Sequence, residues 1–430
     1  MDFMKYPNYD FTLKQSEDYQ DLKYVLHRHL IDHIEEEQVP LNEWNAEQIQ
    51  QYVHDHVSRY ASRHQLAVTS YDLDDLTEEI IHELTGYGPL QSLLADDHIS
   101  DIMVNGARHV FVERNGKVQQ ADARFIDDDH VLRVIRRILA PLGRRLDESS
   151  PMVDARLPDG SRINAIIPPL ALDGPCLSIR KFRQDPLREA DLLAYGSANE
   201  AMLDFLRKAV DYRCNILVSG GTGAGKTTLL NILSRFIGSQ ERLVTIEDAA
   251  ELQLDHNHVV RLETRPPNVE GVGEVRPREL VRNALRMRPD RIILGEVRGE
   301  EVLDVLQAMN TGHDGSMSTV HANSARDALV RLEMLAGLAG FRGGIETLQQ
   351  MITCAIDMIV HIARFSDGSR RITSIMEVTG VRDNQFLLNE LFSYDRRRDA
   401  FVNGNSHPSG PKFTDRKPAF SIFDGGSVYG

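Results

Sequence analysis

Apolar residues recur at helical spacing over residues 19–37, where Leu22, Val25, Leu26, Leu30 and Ile34 predict an amphipathic helix. The first 15 residues are polar and aperiodic and read as a mobile leader. Residues 38–63, with Pro40 near their start, predict a second helix, and residues 76–84 another that stops at Gly86-Tyr87-Gly88-Pro89. Strand-like runs follow at 99–104 and 109–113, with Asn115-Gly116 as a hairpin turn after the second. Val131, Val134, Ile135, Ile138 and Leu139 form the next helical stripe. Residues 154–157 and 162–167 then flank Pro158-Asp159-Gly160, a further hairpin signal. Strands mixed with so few helices predict a compact α+β domain ending near Phe182, with Arg183-Gln184-Asp185-Pro186 as a hinge.

Beyond the hinge the pattern changes to short apolar strands alternating with helices. The strongest strands lie at 215–219, 243–246, 291–294 and 358–362. Such alternation predicts a mostly parallel sheet with helices on both faces. After about Gly404 the chain is rich in Gly, Pro and Ser, and a disordered or loosely docked tail is expected. The expected fold is therefore α/β, a parallel-sheet domain preceded by a smaller α+β domain and a helical leader. The expected divisions are 1–71, 72–182, 183–380 and 381–430.

Charge narrows the function. The 430 residues carry 49 Lys and Arg against 64 Asp and Glu, a net charge of −15. So acidic a chain lacks the basic footprint of sequence-independent nucleic-acid binding, and no nucleic-acid partner is expected. The best apolar stretch, 351–363, is broken by Asp357 and is short for a membrane span. Met1-Asp2-Phe3-Met4-Lys5 has neither the basic start nor the apolar core of a secretory signal. Three scattered cysteines, Cys176, Cys214 and Cys354, build neither a disulfide framework nor a four-cysteine zinc module. A cytoplasmic protein without zinc is expected.

Gly220-Gly221-Thr222-Gly223-Ala224-Gly225-Lys226-Thr227 fills all eight positions of the phosphate-loop pattern, and Thr228 follows at once. The context fits as well, with an apolar strand before it and Leu229, Leu230, Ile232 and Leu233 continuing as a helix. The glycines let successive N–H groups turn inward around a β-phosphate, and the helix start adds partial positive charge. Lys226 is placed to bridge β- and γ-phosphates, and the Thr227 hydroxyl to hold Mg²⁺.

Carboxylates follow at strand ends, where ligands of parallel sheets gather. The strand at 291–294 leads into Gly295-Glu296, making Glu296 the candidate general base. Glu247 ends the strand before it and is assigned to the metal or its water shell; Asp248 is next. His313 and His321 lie eight apart, separated by a predicted strand at 316–320. They read either as hydrogen-bonded core histidines or as sensors of the γ-phosphate. Asp290, Asp304 and Asp357 are taken as structural.

In order, the phosphate loop, Thr245-Ile246-Glu247-Asp248, Ile293-Leu294-Gly295-Glu296-Val297-Arg298 and residues 311–321 resemble the Walker A, Asp box, Walker B and His box of the type II and type IV secretion ATPases. The resemblance covers about residues 75–380. Leu285-Arg286-Met287-Arg288-Pro289-Asp290-Arg291 and Ser318-Thr319-Val320-His321-Ala322-Asn323 are similar to the CpaF/TadA branch, which drives Tad (Flp, type IVc) pili. It implies a RecA-like domain, ATP with Mg²⁺, a homo-hexameric ring, and inner-membrane platform proteins as partners. It also implies arginines donated from the N-terminal domain; the matching positions are Arg162 and Arg180, with Arg156 a third. The implied activity is ATP hydrolysis coupled to pilus assembly, and possible competitors are a motor of another type II/IV system moving protein or DNA, and a nucleotide-binding scaffold with little turnover.

Overall fold

The computed structural model describes residues 17–37, 39, 44–66, 69–114, 116–182, 186–265, 267, 272–404 and 407–414. The expected leader before residue 16, Pro40, Asn115 of the predicted turn, positions 183–185 of the predicted hinge and the tail beyond residue 414 lie outside these residues. The chain divides into two compact units, Met1–Arg183 and Gln184–Gly430.

The first unit opens with α1 (Glu17–Glu36), α2 (Ala46–Arg63) and α3 (Ser70–Thr85). Asn45 and Thr69 start the latter two through reciprocal caps with Gln48 and Asp72, which satisfy amides that a helix start leaves bare. Leu26 and Leu30 pack with Val53, Val57, Leu76 and Ile80 in one small core. Val25 of the predicted stripe stays 42 % exposed, because the buried face runs along Leu22, Leu26 and Leu30. Residues 71 and 72 thus lie inside a helix that shares its core with α1 and α2. Buried Glu83 of α3 ties this bundle onward. Lys23 Nζ is 3.1 Å from its Oε1, and Nε2 of His130 is 2.9 Å from its Oε2.

After α4 (Gln91–Ala95) comes an antiparallel sheet of β1 (Ile99–Asn105), β2 (His109–Arg114), β3 (Lys117–Gln120), β4 (Met152–Arg156), β5 (Arg162–Ile166) and β6 (Cys176–Arg180). Its order is β3-β2-β1-β6-β5-β4. The helix α5 (Asp128–Leu139) lays Val131, Val134, Ile135, Ile138 and Leu139 on one face, against Ile163, Ala165, Leu177 and Ile179. Strand alternation therefore sends Arg156, Arg162 and Arg180 to the other face. The strands β3 and β6 add to those read from the sequence. The turn at Pro158-Asp159-Gly160 is as predicted: Leu157 donates to Ser161 O at 2.8 Å, and Gly160 sits at φ 95°.

The second unit begins with α6 (Glu189–Ala194) and α7 (Glu200–Asp211), then β7 (Ile216–Gly220), α8 (Lys226–Ser234), β8 (Leu243–Glu247), β9 (Val259–Glu263) and α9 (Pro277–Ala284). It continues through β10 (Arg291–Leu294), α10 (Glu301–Asn310), β11 (Met317–His321), α11 (Ala325–Leu338) and α12 (Ile345–Ala355). The last described elements are β12 (Met358–Arg364), β13 (Arg370–Arg382), β14 (Gln385–Asp395), β15 (Ala400–Asn403) and α13 (Pro411–Thr414). Sheet order is β15-β14-β13-β12-β7-β11-β10-β8-β9. From β12 to β9 the strands are parallel, and β13, β14 and β15 extend the sheet antiparallel. Ile216 and Val218 enter the core under α7 and α8, while Leu217 between them enters the core under α9–α12. Helices on both faces account for the nearly continuous apolar runs of these strands.

The sheet does not stop at residue 380, which lies within β13. Part of the expected loose tail is docked: Phe413 stacks on Phe205 at 5.7 Å, and Lys412 Nζ lies 2.8 Å from both Asp314 and Asp357. Among the described residues no helix is long and apolar enough to cross a membrane.

Candidate active site

The carboxyl ends of β7, β8, β10 and β11 meet at one edge of the parallel sheet. From β7 the chain turns through Gly221, Thr222, Gly223 and Ala224 into α8. A Cβ on Gly220 would stand 2.3 Å from the carbonyl oxygen of Ile362, so close packing against β12 demands glycine there. Gly225 sits at φ 98°, a left-handed conformation that side chains disfavour. Residues 221–223 are exposed at the mouth, Ala224 is buried beneath, and Lys226, Thr227 and Thr228 form the first turn of α8. Lys226 is itself buried and its Nζ donates to Gly221 O at 3.0 Å.

Beside Lys226 stands His321, the last residue of β11, with Nε2 at 3.3 Å and Nδ1 at 3.5 Å from the ammonium. His321 Nε2 is also 3.0 Å from Oε1 of Glu296. The other oxygen of Glu296 accepts from Arg298 at 2.8 Å, and Arg298 reaches Asp248 at 3.3 Å. Burial holds the His321 imidazole below its ordinary pKa; the Lys226 ammonium pushes the same way and the Glu296 carboxylate opposes them. A neutral ring then donates from Nε2 to Glu296, while the Lys226 ammonium lies within 3.5 Å of both ring nitrogens. Five residues from four motifs, Lys226, His321, Glu296 with Arg298, and Asp248, thus form one polar chain.

Glu247 differs from Glu296 in its surroundings. It is 4 % exposed, and its Oε2 accepts from the amides of Glu251 and Leu252 at 2.7 and 2.8 Å. Its Oε1 is buried with no hydrogen-bond partner among the described residues. Burial pushes this carboxyl up to about 7 in spite of the two amides. The neighbouring Gly295 is close enough that a Cβ there would lie 3.1 Å from Glu247 Cγ.

The two histidines do not meet. His313 lies before β11, its Nδ1 facing Ala308 O at 3.3 Å, while His321 closes the strand. From Met317 to His321 the strand advances four residue steps, about 13 Å at the usual strand rise, and His313 lies before its start. His313 is therefore held at the amino edge of the sheet, away from the phosphate loop of its own unit.

The predicted arginines are gathered within the first unit. Arg156 pairs with Arg162 across β4 and β5, Arg162 with Arg180 across β5 and β6, and Arg180 with Asp101 across β6 and β1. Directly opposed residues share a sheet face, so these side chains stand in one row. Arg180 Nε bonds Asp101 at 3.0 Å, and the Arg156 guanidinium lies 6.0 Å over the Phe182 ring.

Sequence reasoning missed Arg364 and Arg370. Their signal was Asp367-Gly368 between two strands, a tight turn with an arginine on each flank. Arg370 Nε donates to Gly223 O at 2.9 Å, and Arg364 Nη1 lies 3.3 Å from where a Gly223 Cβ would be.

The sheet edge suits a polyphosphate: a glycine-rich loop opening a helix, a buried lysine, a hydroxyl and two acids. Among the described residues no three or more His, Cys, Asp or Glu side chains gather around a metal-sized space.

Comparison with known proteins adds the following. The sequence model of the family described as "Type II/IV secretion system protein" matches residues 83–391. A putative conjugal transfer protein of Mycobacterium tuberculosis is 42 % identical over 299 residues, 68 % of this chain and 84 % of the relative. The conjugal transfer protein TrbB of Rhizobium radiobacter is 36 % identical over 298 residues, 68 % of this chain and 88 % of TrbB. The X-ray structure of the Yersinia pseudotuberculosis ATPase DotB superposes with a TM-score of 0.50 at 18 % identity, covering 69 % of this chain and 80 % of DotB. That likeness bears on the fold: an N-terminal domain followed by a RecA-like ATPase domain.

Proposed function

The chain belongs to the type II/IV secretion system protein family, and from that premise we propose that it is the hexameric ATPase motor of a Tad/Flp-type pilus, in the CpaF/TadA branch. The observation that carries the catalytic reading is the polar chain Lys226–His321–Glu296 laid against the phosphate loop. ATP enters the loop and takes Lys226 onto its β- and γ-phosphates, away from Gly221 O and His321. Thr227 is the loop's donor to Mg²⁺, which supplies charge neutralisation at those phosphates when bound.

The two acids divide the remaining work. Both oxygens of Glu296 are engaged, so it orients water through a fixed geometry. Glu247 keeps a buried oxygen without a partner and titrates near neutrality, which suits a proton acceptor. The row of Arg156, Arg162 and Arg180 offers guanidinium charge to the developing transition state. His313 has no part in this reading.

Phosphate release by the full chain with Mg-ATP tests it, alone and with vesicles carrying platform proteins. A motor loses hydrolysis in Glu296→Gln while retaining ATP; equal rates in the two proteins favour a scaffold. The acidic chain is proposed to work in the cytoplasm, docked on the basic cytoplasmic loops of inner-membrane platform proteins, so co-sedimentation should weaken with salt.

A second reading is a motor of another type II/IV system moving protein or DNA, and the conjugal-transfer names of the M. tuberculosis and TrbB relatives favour its DNA-transfer form. Deleting the gene separates the two. Loss of surface pili supports the first, and loss of DNA transfer or protein export with pili intact supports the second.

A further inference from the structure

The strand β12 lies on the side of β7 opposite to β11 and β10. Groups at its end therefore approach the phosphate loop from the flank away from Glu296 and His321. Arg364 closes β12, Arg370 opens β13, and the two are direct cross-strand partners. Like charges placed opposite each other destabilise a sheet.

The intervening turn holds them rigidly. Phe365 N donates to Ser369 O at 2.8 Å, Gly368 N to Phe365 O at 3.0 Å, and Ser369 Oγ to Asp367 at 2.7 Å. The ring of Phe365 is braced by the guanidiniums of Arg371 and Arg396 at 5.5 and 4.9 Å. A pair of positive charges is thus fixed beside Gly223 and Gly225 of the loop. Arg370 Nε takes the carbonyl of Gly223, its Cδ lies 3.5 Å from a Cβ built on Gly225, and Arg364 Nη1 hovers over Gly223.

We propose that Arg364 and Arg370 complete the nucleotide site on its diphosphate side: Arg364 binds the α- and β-phosphates, and Arg370 is a positioning residue that holds the loop through Gly223. This rests on the ATPase reading above but concerns residues that none of its motifs contains. The Gly223–Ala224 peptide is held at both ends, its carbonyl by Arg370 Nε at 2.9 Å and its N–H by Gly221 O at 3.3 Å, so Arg370 fixes the turn on which the loop's donors are carried. The charge of Arg364 then serves ADP as well as ATP, because it lies away from the γ-phosphate.

ADP affinity of the full chain in Mg²⁺ buffer, measured against salt by competition with a fluorescent ADP analogue, tests the proposal. Arg364→Gln should weaken ADP binding by about tenfold or more, the range of a lost charge-assisted hydrogen bond, and flatten its salt dependence. Arg364→Lys should recover most of the affinity, since a point charge suffices for phosphate. In turnover, the rise in KM for ATP should exceed the fall in kcat. Arg370→Gln should also weaken ADP binding while the melting midpoint without nucleotide stays put. It serves as the second variant if Arg364→Gln does not fold. Wild-type ADP binding with unchanged affinity in both Gln variants overturns this inference and leaves the ATPase reading standing. A wild-type chain that binds no ADP overturns both.

Discussion

Nε2 of His321 stands 3.0 Å from Oε1 of Glu296 and 3.3 Å from Nζ of Lys226, so one imidazole joins the carboxylate after β10 to the lysine that opens α8. The parallel register explains the meeting: His321 lies beside Gly220 of β7, and Leu294 of β10 lies beside Ser318 of β11. A γ-phosphate drawing Lys226 away would be felt at Glu296 through a single ring.

If these groups act as a unit, their losses should not add. Glu296→Gln is expected to lower turnover by about 10²-fold or more. His321→Ala should approach that loss, and the double variant should be little worse than Glu296→Gln alone. Phosphate release measured across the four proteins checks this. Fully additive losses would separate His321 from the mechanism.

Glu247 predicts a pH signature. Its carboxyl is raised from 4.5 to about 7 by burial, so the folded state keeps a proton that the unfolded chain releases. Its contribution to stability is fully present below about 4.5 and is lost as pH rises to about 7, amounting to about 3 kcal/mol by linkage. Glu247→Gln should therefore be more stable than wild type at pH 8, with the advantage shrinking towards pH 5. Its activity should move the opposite way. A base works unprotonated, so wild-type kcat/KM should climb through about pH 7, and the Gln variant should lose that limb. Urea unfolding and a pH–rate profile test the two halves separately.

Much of this site is legible before folding because its motifs sit at strand ends. The apolar runs before Gly220, Glu247 and Glu296 announce buried parallel strands, and the residues after such runs must reach the same sheet edge. His313 shows the limit. Its spacing from His321 gave no direction along β11, and the strand carries the two to opposite edges. Arg364 and Arg370 were hidden for another reason: β12 follows β7 in the sheet but not in the chain. Only strand order brings their hairpin to the phosphate loop. Glu83 was hidden likewise, since it lies on a stripe of α3 whose partners Lys23 and His130 come from two other helices.

The docked segment 407–414 should matter to stability. Glu377, buried in β13, accepts from the amides of Ser409 and Gly410 at 2.8 and 2.6 Å and from Asn389 Nδ2 at 2.9 Å. Glu377→Ala leaves those donors without their acceptor and should cost about 3 kcal/mol. Urea unfolding of the full chain reads this directly. An unchanged midpoint would mean that the segment 407–414 adds nothing to the unit.

The arginine row in the first unit sets function against stability. Arg156, Arg162 and Arg180 are successive cross-strand partners, and each direct like-charge pair costs roughly 0.2–1 kcal/mol. Asp101 offsets one end, through Arg180. Arg162→Gln is expected to lower turnover by about 10³-fold while the chain still folds. Arg180→Gln should lose turnover similarly but gain no stability, since it also removes the partner of Asp101. Thermal unfolding and phosphate release on the same preparations decide the matter. If the row served only the sheet, Arg162→Gln would melt earlier and hydrolyse ATP as fast as the wild type.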